Sequence, residues 1–171
     1  MSKSTTKRPE NPEAGLAEQT RLAMRRQAAT VSVVSVLDAD GQRHAMTATS
    51  ITSVSMAPPS LLICVNHWAT VYEAMKAGLP FCINILAENQ QKVADYCSRG
   101  QKSENHFKAG SWKNGYDDLP YLEGAQANVF CYNDESICYA THTVFIGRVQ
   151  QVYLHGEVAP LMYLNGGYIH L

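Results

Sequence analysis

From Thr30 onward the chain alternates short runs of β-branched and apolar residues with short polar breaks, a pattern that predicts strands far more often than helices. TVSVVSVL (30–37) is the first run. Asp38-Ala39-Asp40-Gly41 reads as a hairpin turn, and a return strand follows from Gln42 to Ala48. SVSM (53–56) is predicted as a further strand that stops at Pro58-Pro59, since a proline pair cannot continue a central strand. LLICVN (61–66), FCINIL (81–86) and AQANVFCY (125–132) follow. A turn is predicted at Asn133-Asp134, then SICYA (136–140), HTVFIGRVQQVYL (142–154) and a short apolar strand with a glycine turn in PLMYLNGGYIHL (160–171).

Helical spacing is confined to three places. Pro12 to about Ala29 puts Leu16, Ala23 and Met24 on one face, with Arg21, Arg25 and Arg26 near its end. Those cations either suit the negative end of the helix dipole or bind a phosphate. TVYEAMKAG (70–78) predicts a short helix with Gly78 at its close, and Asn89–Cys97 predicts another with Val93, Ala94 and Cys97 inward. Residues 1–13 read as a disordered polar tail before a single domain over 14–171. Residues 98–124 show no period and carry glycines and aromatics, the profile of a functional loop. Many short hairpin-linked strands with few helices predict a mainly β fold, a β-barrel with helices filling its ends, and argue against a doubly wound sheet.

Composition narrows the class of function. The chain has 171 residues, 17% of them charged, and a net charge of −1, which leaves no basic footprint for nucleic acid. No apolar run reaches the ~18 residues of a membrane helix. The opening MSKSTTKRPENPEAG lacks the apolar core of a secretory signal, so a cytoplasmic protein is expected. The cysteines at 64, 82, 97, 131 and 138 have no CxxC spacing, and predict neither a disulfide framework nor a zinc site. The phosphate loops, dinucleotide fingerprints, metalloprotease helices and nucleophile elbows of common enzymes are absent, so chemistry here calls for a borrowed cofactor.

One segment stands apart. Residues 46–55 read MTATSITSVS, and six of the ten carry hydroxyls. If the segment is one extended strand, Thr47, Thr49, Ser53 and Ser55 share a side. Short hydroxyls beside open backbone N–H groups suit a ligand rich in acceptors, such as a phosphate, ribityl hydroxyls or the pyrimidine edge of a flavin. The plainer alternative is a strand with a polar solvent face.

The longer stretch MTATSITSVSMAPPSLLICVN resembles the signature of the short-chain flavin reductase family, close to GMTANSFTSVSxxPPxxxxCV, with Ala45 in place of the leading glycine. FCINIL with NQQKVADYC, HTVFIGRV and PLMYLNGGYIHL resemble three further family segments in the same order, so the likeness runs over roughly residues 20–171. It implies an FMN-binding split barrel, normally a homodimer. It also implies oxidation of NADH or NADPH with reduction of FAD or FMN, the reduced flavin passing to a separate flavin-dependent oxygenase that acts on an aromatic substrate.

The resemblance also implies site residues. It places the isoalloxazine against Thr47, Ala48, Thr49 and Ser50, and the ribityl and phosphate near Ser53, Val54, Ser55, Asn66 and Thr70. Cys64 and Val65 offer backbone beside the ring, and Phe107 belongs to a family triplet. Asn84 either binds flavin or satisfies core backbone. His142 is placed at the nicotinamide as the catalytic candidate, and Tyr168 either closes that pocket or packs at the barrel edge. Two other readings stay open: a flavin- or haem-binding barrel without turnover, and an oxidoreductase that keeps its flavin and reduces another acceptor.

The family triplet is acidic-basic-Phe, whereas this chain has Asn105-His106-Phe107, so a permanent cation is replaced by a group that titrates near neutrality. If that position meets a phosphate, nucleotide binding weakens as pH rises through the histidine range. The Michaelis constant for the nicotinamide nucleotide, measured from about pH 5.5 to 8, should climb; a flat profile excludes the contact.

Overall fold

The computed structural model describes residues 12–98 and 103–169. Most of the expected N-terminal tail lies outside that range, and Pro12 and Glu13 already belong to the first helix. Helix α1 spans Pro12–Met24. Strands β1 (Ala29–Thr30), β2 (Ser32–Leu37), β3 (Arg43–Ala48), β4 (Ile51–Met56) and β5 (Pro59–Asn66) follow. Then come α2 (Tyr72–Lys76), β6 (Phe81–Ile85), α3 (Gln91–Tyr96), α4 (Ser103–His106), β7 (Trp112–Asn114) and β8 (Pro120–Leu122). The long strands β9 (Ala127–Tyr139) and β10 (His142–Leu154) precede β11 (Met162–Leu164) and β12 (Gly167–Ile169).

Seven strands form one antiparallel sheet in the order β3-β2-β6-β9-β10-β5-β4. Its two edges, β3 and β4, are joined in sequence by Thr49 and Ser50 alone. Laid flat, seven strands would hold those edges about 29 Å apart at ~4.8 Å per neighbour. Three Cα steps from Ala48 to Ile51 span at most about 11 Å. The sheet therefore rolls until its edges meet at this end. They do not pair, and the barrel is split along that seam.

Burial on both faces explains the apolar run of β2. Val34 and Val36 point into the barrel with Phe81, Ile63, Val65, Phe145 and Met75. Val31, just before the strand, and Val33 point outward beneath α3 and β8, among Leu86, Val93, Leu122 and Leu161. A strand covered on both sides reads as continuous hydrophobicity and not as alternation. β11 pairs with both β1 and β12 in a separate three-stranded sheet, and β7 with β8 as a small hairpin inside the stretch that showed no period.

Two expectations are corrected. Asn133 and Asp134 do not form a turn, because β9 runs through them. Ile146 pairs with Glu135 and Gly147 with Asn133, which leaves Asp134 as the extra residue of a bulge. Asp134 there meets Arg148 at 3.2 Å, and the Asn133 amide donates to the Met75 carbonyl at 2.6 Å. Gly147 is required opposite, since a Cβ would come within 2.5 Å of the Phe81 ring and 2.9 Å of Cys131 Cβ. The real hairpin turn is Ala140-Thr141, with Ala140 at φ 48°.

Residues 46–55 are likewise not one strand. The period breaks at Thr49-Ser50, so the hydroxyls on its two sides belong to opposite edges of the sheet.

Asn84 is a core residue. It is fully buried. Its amide nitrogen donates to the Val33 carbonyl at 2.9 Å and the Ser35 hydroxyl at 3.0 Å. Its oxygen accepts from the Leu122 N–H at 2.8 Å and the Asn128 amide at 2.9 Å. One carboxamide thus ties β6 to β2, β8 and β9. Removing it strands several buried polar groups. Asn84→Ala should lower unfolding stability by about 2–4 kcal/mol, read as a lower denaturant midpoint; a near-neutral variant would contradict this role.

Candidate functional site

A cleft of about 490 Å³ opens at the seam. Ala45 to Ser50, on β3 and the crossing, form one wall, and Cys64 and Asn66 from the end of β5 form another. The loop after β5 adds Trp68, Ala69 and Thr70. Cys97 and Ser98 close it from the end of α3, with His106 from α4 and His142 from the start of β10.

The crossing supplies the donors. Ser50 is tied to β5, its carbonyl accepting from the Cys64 N–H at 3.3 Å and its hydroxyl donating to the Cys64 carbonyl at 3.0 Å. Thr47 is tied to α3, its N–H donating to the Cys97 carbonyl at 2.9 Å and its hydroxyl to the Ala94 carbonyl at 2.6 Å. The Thr47 and Thr70 hydroxyls are therefore spent on the scaffold, since Thr70 donates to the Ala45 carbonyl at 2.9 Å. Between these anchors, the backbone N–H groups of Thr49 and Ser50 have no acceptor among the described residues, and both residues are exposed. Two open amides beside the small side chains of Ala45, Ala48 and Ala69 can hold the acceptor edge of a flat ring.

His142 sits at the rim in a defined tautomer. Asn66 Oδ1 accepts from the Trp68 N–H at 2.9 Å, which turns its amide nitrogen toward His142 Nε2 at 3.4 Å. Nε2 thus accepts, and Nδ1 donates to the Thr141 hydroxyl at 2.9 Å. The neighbouring His67 meets the Thr143 hydroxyl at 3.1 Å and packs at a tilt of 37° against Tyr72, with ring centres 4.7 Å apart.

Eight of the expected site residues line the cleft: Thr47, Ala48, Thr49, Ser50, Cys64, Asn66, Thr70 and His142. Others lie elsewhere. Ser53, Val54 and Ser55 follow the crossing along the edge strand β4, past the cleft. Val65 points into the barrel core, its strand position paired with Thr143. Phe107 packs edge-on against Trp112 at 4.8 Å beneath the Arg43 guanidinium, and leaves the cleft to its neighbour His106, which is buried. Tyr168 packs on Tyr163, and its hydroxyl donates to Asp95 at 3.2 Å. Burial, then the nearby Asp95 carboxylate, pushes the Tyr168 phenol up to about 12. Asn84 is in the core, as described above. Sequence reasoning missed Trp68, which is 85% exposed at the mouth; an aromatic inside the polar loop NHWAT was the available signal.

The sequence profile of the flavin reductase-like domain matches residues 24–171, and the chain belongs to that family. It is 37% identical, over 90% of its length and 87% of the relative's, to the reductase component of an FADH(2)-dependent resorcinol hydroxylase from Rhizobium sp. (strain MTP-10005). It is 30% identical, over 88% of its length and 84% of the relative's, to the FMN reductase (NADH) RutF of Pseudomonas syringae pv. syringae (strain B728a). The NADH:FAD oxidoreductase SgcE6 of Streptomyces globisporus C-1027, solved with NAD and FAD fragments, superimposes with a TM-score of 0.84 at 26% identity. That match covers 96% of this chain and 97% of the other. Among the described residues, no helix is long and apolar enough to cross a membrane, and no cluster of metal-ligating side chains occurs.

The thiols offer a test of the geometry. Burial pushes Cys97 and Cys131 up to about 12 and raises Cys82 well above its ordinary value, so at pH 8 all three stay protonated and unreactive. Cys138 is exposed, and Cys64 is half-buried on the cleft wall. Iodoacetamide at pH 8 should label Cys138 first and Cys64 more slowly, and added flavin should slow Cys64 alone. Equal protection of both thiols would place the flavin elsewhere.

Proposed function

We propose that this chain is a flavin reductase that oxidises NADH, reduces FAD or FMN by hydride transfer, and releases the reduced flavin to a separate flavin-dependent oxygenase. The observation that carries the reading is the pair of open amides at Thr49 and Ser50 in a cleft of flavin size. When bound, flavin supplies the ring that takes up the hydride. The chain's own residues bind, orient and screen. Thr49 and Ser50 would present N–H donors to the pyrimidine edge of a bound flavin, the part of the ring that gains negative charge on reduction. Asn66 and the loop through Thr70 would flank the ribityl chain of a bound flavin. His142, hydrogen-bonded to Asn66 and Thr141, orients the nicotinamide carboxamide at the rim. Solvent at the open mouth handles protons, so no side chain is needed as an obligatory acid.

NADH, and not NADPH, is proposed as the donor because the names of RutF and SgcE6 both carry it. An aromatic hydroxylase is the proposed partner type, after the resorcinol hydroxylase relative. We also propose a homodimer through the outer face of β5, β10 and β9. Val144 lies between Cys64 and Ile137 on that face, and Tyr139 opposite His142, so the apolar surface runs directly into the cleft. Ile137 and Tyr139 are 60% and 79% exposed, more than a lone barrel would leave bare at adjoining positions. All five cysteines are free, which fits a reducing cytoplasm.

Mixing the protein with NADH and catalytic FAD or FMN in air should give nucleotide oxidation that requires both enzyme and added flavin and saturates in flavin. His142→Ala should lower kcat/KM for NADH about tenfold. Protein that stays yellow through dialysis and ignores added flavin would instead mean a tightly held prosthetic group.

A further inference from the structure

The loop joining β5 to α2 turns one large aromatic side chain out of the fold. Its backbone is tied at each step. The His67 N–H donates to the Thr141 carbonyl at 3.0 Å, the Trp68 N–H to Asn66 Oδ1 at 2.9 Å, and the Ala69 N–H to the Asn66 carbonyl at 2.9 Å. The residues on either side pack inward, the His67 ring against Tyr72 and Ala69 against the barrel core. Trp68 between them is left 85% exposed, and among the described residues its indole meets no other ring and its ring N–H has no acceptor.

A single exposed apolar residue is ordinary on a protein surface. Trp68 differs in its place. It lines the first cleft, where the other aromatic rings among the described lining residues are two histidines. His106 is buried, and both ring nitrogens of His142 are engaged by Asn66 and Thr141. An edge held by the Thr49 and Ser50 amides leaves the faces of a flat ring to find cover, and Ala45, Ala48 and Ala69 offer little flat area. Oxidised isoalloxazine is electron-poor and indole is electron-rich, and such a pair favours an offset stack that removes both faces from water. The hydride donor needs the same rim. One Asn66 carboxamide accepts from the Trp68 N–H through its oxygen and turns its nitrogen to His142 Nε2. Hydride transfer requires the nicotinamide against the flavin ring, so indole and nicotinamide compete for that ring beside His142. An indole so exposed gives up little packing when it swings away.

We propose that Trp68 is a displaceable cover for the flavin site: its indole stacks on the isoalloxazine whose edge Thr49 and Ser50 hold, and yields that face to the nicotinamide of the incoming donor. The proposal rests on the flavin-reductase reading of the first cleft. It makes Trp68 favourable for flavin binding and unfavourable for donor binding, a pair of opposite effects that a merely structural residue does not produce.

Flavin affinity is read without turnover, by calorimetry of the full-length protein with oxidised FMN and with FAD in the absence of nucleotide. Trp68→Ala should weaken flavin binding about fivefold, and Trp68→Phe, which keeps a ring, should restore part of that loss. Emission from bound FMN should be quenched by contact with the indole in the unsubstituted protein and brighter in both variants. In steady state at saturating flavin, the KM for NADH should fall in Trp68→Ala, by about the factor lost in flavin affinity. Unchanged flavin affinity, equal quenching of bound FMN, or a KM for NADH that stays level or rises overturns the proposal and leaves the flavin reading standing. Unsubstituted protein that binds neither FMN nor FAD overturns the flavin reading and the proposal together.

Discussion

Two residues carry the chain from one edge of a seven-stranded sheet to the other, and the geometry of the molecule follows from how short that passage is. Thr49 and Ser50 can span only about 11 Å between Ala48 and Ile51, so the sheet has to curl. The edges meet without pairing. Backbone donors left open at such a seam are costly if buried dry and useful if a ligand can reach them. Here the neighbouring donors are satisfied by α3 and β5, and the two at the crossing face a cleft.

The cleft is rigid where it needs to be. Thr47 and Thr70 spend their hydroxyls on carbonyls of the scaffold, which fixes the crossing and the β5 loop relative to α3 and β3. Beneath them, Asn84 cross-links four elements through a single carboxamide, and the bulge at Asp134 lets the β9–β10 hairpin bend around the barrel. That hairpin brings His142 to the rim opposite Asn66, where a chain of hydrogen bonds from the Trp68 N–H sets the histidine tautomer. Orientation of a bound ring and its hydride donor is the main contribution a protein can make to this chemistry, and each of these contacts serves it.

Much of the architecture was legible along the chain. The strands of the seven-stranded sheet were foreshadowed by apolar runs between turn residues, whereas β7 and β8 lay in the segment that read as a loop, and the hydroxyl-rich segment 46–55 with its family resemblance pointed to the cleft. Local pattern determined these because strand propensity, turn chemistry and the motif are all properties of a few consecutive residues. The same locality misled at Asn133-Asp134, where a turn-forming pair sits instead in a bulge held by Met75 and Arg148 from distant elements. It also misled along 46–55, since period-2 alternation assumes one strand and the chain there belongs to two.

Tertiary structure alone decided which residues share the site. Ser53, Val54 and Ser55 fell away from it because the crossing reverses their edge, and Phe107 yielded its place to His106 by packing on Trp112. Asn84 could be read from sequence as ligand or scaffold, and only the arrival of Val33, Leu122 and Asn128 made it scaffold. The sequence determined what each segment could form. Barrel closure, a constraint between residues far apart in the chain, determined what those segments face.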